Sequence, residues 1–419
     1  MNIYIMVLQV TATTKCIMEG VVMKTLIWMG CWSYLLIGLA HVVVGSIMPD
    51  LLLHYGKDYS AGGSLIFAQF AGFLVGVLVS PLLISKFGKR TGLLIAIGLL
   101  CLAELCYTML PPWEWMYLVG SVAGFGFGMI EAVIGTLIIV AIKEGTAIAM
   151  SRLEVFFGIG ALVMPLLAGW LIQSDIWRYS FLIVCAMAFI MFIFWLKRNF
   201  GDLNQLLDSK EEVKQEKKRL LSQYQGVRGL LLIVFIVFFF LYVGMEMSFV
   251  NFLPSLLIEK LGTDKSTAAF SVTLFWIAMT IGRFFAGFIA EKITYSRYVV
   301  WSCVISFALI SLFAFAKGIT MMTVLILLIG LFLSGLFSIA LVFANKLLPG
   351  SEESTPSMLI ASGGVGGAVL PLLMGKSMDI GGADFSAWML AGFIAVLTLL
   401  GIVAMIIQRF HVKAIPNKS

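Results

Sequence analysis

The stretch from Phe157 to Gly169, FGIGALVMPLLAG, returns at residues 363–375 as GGVGGAVLPLLMG. Gly158 and Gly364, Gly160 and Gly366, Pro165 and Pro371, and Gly169 and Gly375 each stand 206 residues apart. The chain is a duplication. Gly76 and Gly282, Lys86 and Lys292, and Gly124 and Gly330 keep the same spacing, while Pro49-Asp50-Leu51-Leu52 matches Pro254-Ser255-Leu256-Leu257 at a spacing of 205. Both copies of the motif lie inside long apolar segments, which predicts two similar membrane bundles facing each other, an arrangement used to move solutes.

Hydrophobic residues make up 61% of the 419 and charged residues 12%, so the bilayer is the solvent. Apolar runs long enough to cross hydrocarbon, about 20 residues each, lie near residues 25–55, 62–85, 91–110, 115–142, 147–173, 177–196, 229–258, 267–290, 298–316, 319–345, 355–376 and 386–408. The expected fold is all-α, with twelve transmembrane helices in two pseudo-symmetric bundles of six. Residues 24–196 form the first bundle, 197–228 a linker, 229–408 the second bundle and 409–419 a tail, with an additional N-terminal segment at 1–23. The linker is polar, with Leu203, Leu207, Leu220 and Tyr224 as an apolar stripe suited to a surface helix.

Lys and Arg gather on one set of loops, all except Lys57, Arg178, Lys260, Lys265, Lys317 and Lys376. By the positive-inside rule both termini and the linker face the cytoplasm of a cell-membrane protein. This asymmetry accounts for the net charge of +6 without a nucleic-acid partner. The cysteines have neither metal-ligand spacing nor a loop partner, so neither disulfides nor a metal site is expected. No phosphate loop or nucleophile–base pair is present, which argues against an enzyme and against a cofactor. The expected partners are a small-molecule solute, protons and lipid, and the expected state is a monomer.

Ionisable groups are expensive in hydrocarbon, about 2.5–3.5 kcal/mol each at a helix centre, so those at mid-depth point to function. Glu131 in the fourth span and Glu246 in the seventh are the deepest. Glu131 follows Gly124 and Gly128, small residues that let a neighbouring helix approach. A carboxyl at that depth is suited to carrying a proton; a neutral structural carboxyl is the alternative. Under the 206-residue spacing Glu131 maps onto Phe337 and Glu246 onto Ala40, so each acid belongs to one half only. Tyr242 lies one turn before Glu246, with Asn251 further along. With Gln69, His41 and the flat rings of Phe275 and Trp276, they supply hydrogen bonds and stacking faces for a sugar. Interhelical hydrogen bonding is the competing reading for Asn251, Gln69 and His41. Arg152, Glu154, Arg283, Glu291 and Lys86 lie toward the cytoplasmic ends and read as gate residues, with Arg283 in a network with Glu291. Asp50 and Glu104 receive no role.

The loop Ser85-Lys86-Phe87-Gly88-Lys89-Arg90 resembles the signature of the major facilitator superfamily between its second and third helices, with Ser85 where an Asp is usual. Gly282-Arg283, Gly287, Glu291 and Lys292 resemble it in the second half. A closer resemblance is to the fucose/glucose proton-symporter branch, and to the bacterial glucose/mannose transporters within it. It rests on His41 and Gly45-Ser46 before Pro49; Gln69-Phe70, Gly72-Phe73-Leu74 and Gly76-Val77-Leu78; Gly126, Gly128 and Glu131; Leu153-Glu154-Val155 with Gly158, Gly160, Ala161 and Leu162; Phe240-Leu241-Tyr242, Gly244, Glu246 and Asn251-Phe252-Leu253-Pro254-Ser255; and Phe275-Trp276 with Gly282-Arg283.

The resemblance implies a secondary transporter that imports a hexose with a proton by alternating access, with Glu131 as the proton carrier. Proton-coupled fucose permeases carry an Asp four residues before the first-helix proline, where this chain has Gly45, and that departure leaves hexose uniport open. A proton-coupled multidrug exporter of the same superfamily is the other rival. Such exporters usually place Gly directly before the fifth-helix proline, and here Met164 precedes Pro165.

Overall fold

The computed structural model describes residues 2–141, 146–201, 204, 207, 226–348 and 354–413. The expected linker stripe lies outside them apart from Leu207, as does the end of the tail. All regular structure among the described residues is helical, as a lipid-embedded backbone requires, because only internal hydrogen bonds can satisfy its polar groups there.

Thirteen helices build the described chain: α1 (Asn2–Ser46), α2 (Met48–Tyr55), α3 (Tyr59–Phe87), α4 (Lys89–Thr108), α5 (Trp113–Ala141), α6 (Thr146–Gln173), α7 (Tyr179–Lys197), α8 (Val227–Leu261), α9 (Lys265–Ile293), α10 (Tyr295–Phe315), α11 (Ile319–Leu333), α12 (Leu336–Leu347) and α13 (Ser354–Lys413). Their relation to the twelve expected spans is simple. The first span is α1 plus α2, broken at Ile47 where Pro49 enters the first turn of α2. The tenth is α11 plus α12. The last two are the arms of α13, which part at Gly382, whose φ of 68° is open to glycine and strained for other residues.

The repeated glycines place helices at backbone contact. A Cβ on Gly160 of α6 would stand 2.2 Å from the Leu35 carbonyl oxygen of α1, and one on Gly366 of α13 would stand 1.8 Å from that of Phe240 in α8. The fifth span therefore locks onto the first and the eleventh onto the seventh by the same device, and any side chain at these positions would force the helices apart.

α1 to α7 form one bundle and α8 to α13 the other, meeting along two seams, α3 against α13 and α6 against α9, with α1 facing α8 between them. We call the side carrying the α7–α8 linker the linker face and its opposite the far face. On the far face both seams are shut: Gly63 abuts Pro371 and Leu372, Gly375 abuts Tyr59, and Gly169 abuts Ser266. Midway they still touch, at Gly367 on Phe70, Gly364 on Leu74, and Gly158 on Thr280. One and two turns further toward the linker face the same helix faces are bare. Leu78 and Leu82 on α3, Ile360 on α13 and Glu154 on α6 are exposed, and Gly287 on α9 has no neighbour within 4 Å. The cleft between the bundles opens to the linker face.

The described cysteines are free. Cys101 and Cys185 bring their Sγ atoms to 3.7 Å within the spans, where α4 meets α7, without forming a disulfide.

Candidate central site

The residues singled out at mid-depth converge where α1, α5 and α6 face α8 and α9. On α1, His41 sits among Phe70, Phe127 and Phe157 with ring centroids 5.2, 5.7 and 5.6 Å away, and its Nε2 lies 3.0 Å from Met247 Sδ on α8. Aromatic walls leave the imidazole one polar direction, toward the other bundle.

On the second bundle the Arg283 guanidinium stands 3.9 Å from Glu246 Oε1 and over the Trp276 ring at 5.8 Å from its centroid. Glu246 is buried and Arg283 about one-third exposed, so the pair sits at the cleft wall with its acid inside. Tyr242 lies beside Glu246 and donates to the Leu333 carbonyl at 3.0 Å, bracing α8 on α11. Trp276 is buried against Phe157 of the opposite bundle, with centroids 6.1 Å apart. Its indole N–H meets no acceptor among the described residues, which leaves a donor at the seam itself.

Glu131, partly exposed, looks across to Glu154 on α6, and Glu154 in turn feels Arg283 on α9. A chain of charges thus runs from Glu131 through Glu154 and Arg283 to Glu246, crossing from one bundle to the other. Glu154 and Glu246 both lie in the field of Arg283, so protonation of one changes the field felt by the other. Tyr34 approaches the Glu131 backbone carbonyl at 3.5 Å.

Other candidates serve the packing. Gln69 is buried and donates to the Ala40 carbonyl at 3.2 Å, joining α3 to α1. Asn251 is buried, bonds back to the Met247 carbonyl at 2.8 Å and presses on Gly45. Arg283 faces Glu246, and the expected partner Glu291 stands exposed two turns away. Glu291, Lys86 and Arg152 are exposed and make no ion pair with a described residue; Lys86 lies over the Phe87 ring. Asp50, to which no role was given, forms a 2.6 Å ion pair with Lys265 across the far face. No group of three metal-ligating side chains occurs among the described residues.

Phe70, Phe127, Phe157 and Met247 were missed as site residues. Apolar side chains look alike along a span, and only their common approach to His41 singles them out.

The family model described as Major Facilitator Superfamily matches residues 30–256 and again 230–418, the two matches overlapping in α8. The chain belongs to the major facilitator superfamily. This superfamily member is 31% identical over 345 residues to the glucose/mannose transporter GlcP of Bacillus subtilis (strain 168), covering 82% of this chain and 85% of that one. Its fold is similar to that of the nucleoside transporter NupG, with a TM-score of 0.76 at 15% identity over 91% of this chain and 99% of that one. It is also similar to the xylose transporter XylE from E. coli in a partially occluded inward-open conformation, with a TM-score of 0.70 at 13% identity over 90% and 96% of the two chains. The superfamily is one of transporters, not of enzymes.

Proposed function

We propose that the protein imports a hexose of the glucose/mannose type across the cell membrane by alternating access, with proton symport. One observation carries the reading: a relative named for glucose and mannose transport aligns over four-fifths of the chain, and the polar residues of the two bundles meet between them at mid-depth. Trp276, Tyr242 and His41 offer ring faces and donors, and Glu246, Asn251 and Gln69 offer the carboxylate and amide groups that sugar hydroxyls require. In this reading Gln69 and Asn251 exchange an interhelical partner for the sugar as the bundles rock. Glu131 carries the proton and Glu246 senses it through Glu154 and Arg283. Arg152, Glu154, Arg283, Glu291 and Lys86 form the gate that closes the linker face in the opposite state, which explains why several of them stand apart while the cleft is open. Both termini and the linker at 197–228 lie in the cytoplasm, so the cleft described here is inward-open. The bundles correspond to 24–196 and 229–408, and one chain suffices for transport.

Hexose uniport is the second reading, and Gly45 favours it. A Cβ there would stand 2.4 Å from Asn251 Oδ1, so the carboxylate that proton-coupled fucose permeases carry at this point has no room in this conformation.

Uptake of labelled glucose into proteoliposomes, with and without an inward proton gradient, decides between them. Symport predicts gradient-driven accumulation that Glu131→Gln abolishes while exchange of internal for external sugar persists. Uptake that ignores the gradient and stops when internal and external sugar are equal establishes uniport, and absence of glucose and mannose uptake under both conditions refutes the hexose reading.

A further inference from the structure

The far face is shut by two seams that are repeat mates of each other, and they are not shut alike. The start of α3 corresponds to the start of α9 under the 206-residue spacing: Asp58 caps Ala61 N–H at 2.8 Å, as Asp264 caps Thr267 N–H at 2.9 Å. Gly375 of α13 presses on the backbone of Tyr59, as its mate Gly169 of α6 presses on that of Ser266. One turn further along, the correspondence fails. Asp379 of α13 reaches the first turn of α3 and accepts from Tyr59 N–H at 2.8 Å, from Ser60 N–H at 2.6 Å and from the Ser60 hydroxyl. The residue 206 positions earlier is Gln173, and no such contact joins it to α9. That seam is held by the Ser266 hydroxyl on the Gly169 carbonyl at 2.8 Å and, deeper, by the Thr273 hydroxyl on the Leu162 carbonyl at 3.0 Å, and at its far-face end Leu166, Trp170, Gln173, Thr267 and Phe270 line an open groove of about 260 Å³. The approach is looser as well: a Cβ on Gly375 would stand 2.2 Å from the Tyr59 carbonyl oxygen, and one on Gly169 would stand 3.2 Å from that of Ser266.

We infer that Asp379 is the latch of the far face, a positioning residue that weights the equilibrium toward the state closed there, and that the α6–α9 seam is the compliant one because Gln173 replaces the latch. Asp379 belongs to one bundle and the amides it binds to the other, so its contacts exist only while the far face is shut. A carboxylate on backbone N–H groups at a helix start gains both charge-assisted hydrogen bonds and the favourable end of the helix dipole. These interactions are lost when the bundles part, and water takes their place. A free-energy difference tied to one conformation shifts the population of that conformation by the same amount. The Asp50–Lys265 pair also crosses the bundles, but it joins α2 to α9 and leaves the groove between α6 and α9 open.

The inference rests on alternating access, not on the solute, and its test needs no substrate. Spin labels at Lys57→Cys and Ile380→Cys, both exposed at the far face of opposite bundles, report the far-face separation by double electron–electron resonance once the native cysteines are replaced. Asp379→Asn is expected to lower the ratio of closed to open separations about tenfold, as loss of charge-assisted bonds allows. Gln173→Asp, which installs the missing latch on the second seam, is expected to raise it. An unchanged distribution in either variant, or a shift toward closure in Asp379→Asn, overturns the proposal. If Asp379→Asn does not fold, the Gln173→Asp arm decides alone. Failure of hexose uptake in the wild-type protein would refute the solute reading and leave these distances as the test of the latch.

Discussion

His41 and Met247 stand 206 residues apart, occupy equivalent positions of the repeat, and touch each other, Nε2 to Sδ, at 3.0 Å. One turn along, Gly45 and Asn251 repeat the relationship: also 206 apart, also in contact. A residue meets its own repeat mate only on the symmetry axis, so the pseudo-two-fold between the bundles runs between α1 and α8. What is small on one side of it can be large on the other.

That complementarity is testable at Gly45. Gly45→Ala places a methyl group 2.4 Å from Asn251 Oδ1 and should lower stability by about 1–3 kcal/mol, the usual range for overpacking. Asn251→Gly in the same chain should restore most of the loss. Thermal unfolding of the four members of this double-mutant cycle measures the coupling, and additive effects would show that the two residues do not confront each other.

The repeated glycines give a sharper contrast. Gly366→Ala, with its new carbon 1.8 Å from the Phe240 carbonyl oxygen, and Gly160→Ala, at 2.2 Å from that of Leu35, should each lower the melting temperature by several degrees. Gly287→Ala, which meets nothing within 4 Å, should raise it slightly through the better helix propensity of alanine. A scanning-fluorimetry series on the purified protein ranks the three.

Arg283 stands 3.9 Å from Glu246 Oε1, and its charge also acts on Glu154 of the opposite bundle. Arg283→Gln should reduce the maximal rate of hexose uptake at least tenfold and destabilise the fold, because it strands buried Glu246 without its counter-charge. The double substitution Arg283→Gln with Glu246→Gln should recover stability but not transport. Recovery of both would mean that the pair is structural.

Outside the spans, the Asp264 carboxyl is held below the usual carboxylate range by hydrogen bonds from Thr267, first from its side-chain hydroxyl and then from the N–H that caps α9. A lowered folded-state value stabilises the protein above the unfolded value, about 3.9, and that contribution is lost as pH falls through the folded one. Asp264→Ala should therefore cost about 1 kcal/mol near neutral pH. The gap to wild type should close below about pH 4, which unfolding midpoints at pH 7, 4 and 3 would reveal.

Sequence alone determined the membrane solvent, the number of spans and the duplication. Each depends on local quantities: apolar run length, turn residues and the spacing of Gly and Pro. It also singled out Glu131, Glu246, Tyr242, Trp276 and His41, because polar groups in hydrocarbon stand out against their neighbours. Tertiary structure decided which of these groups meet. Arg283 turns to Glu246 where Glu291 was expected; Asp50, left without a role, pairs with Lys265; and Asp379, unremarkable as a surface acid, binds the backbone of the opposite bundle. Such pairings depend on how two rigid bundles are tilted against each other. A tilt of a few degrees brings some helix ends together and parts others, and no residue-by-residue pattern encodes which end is shut.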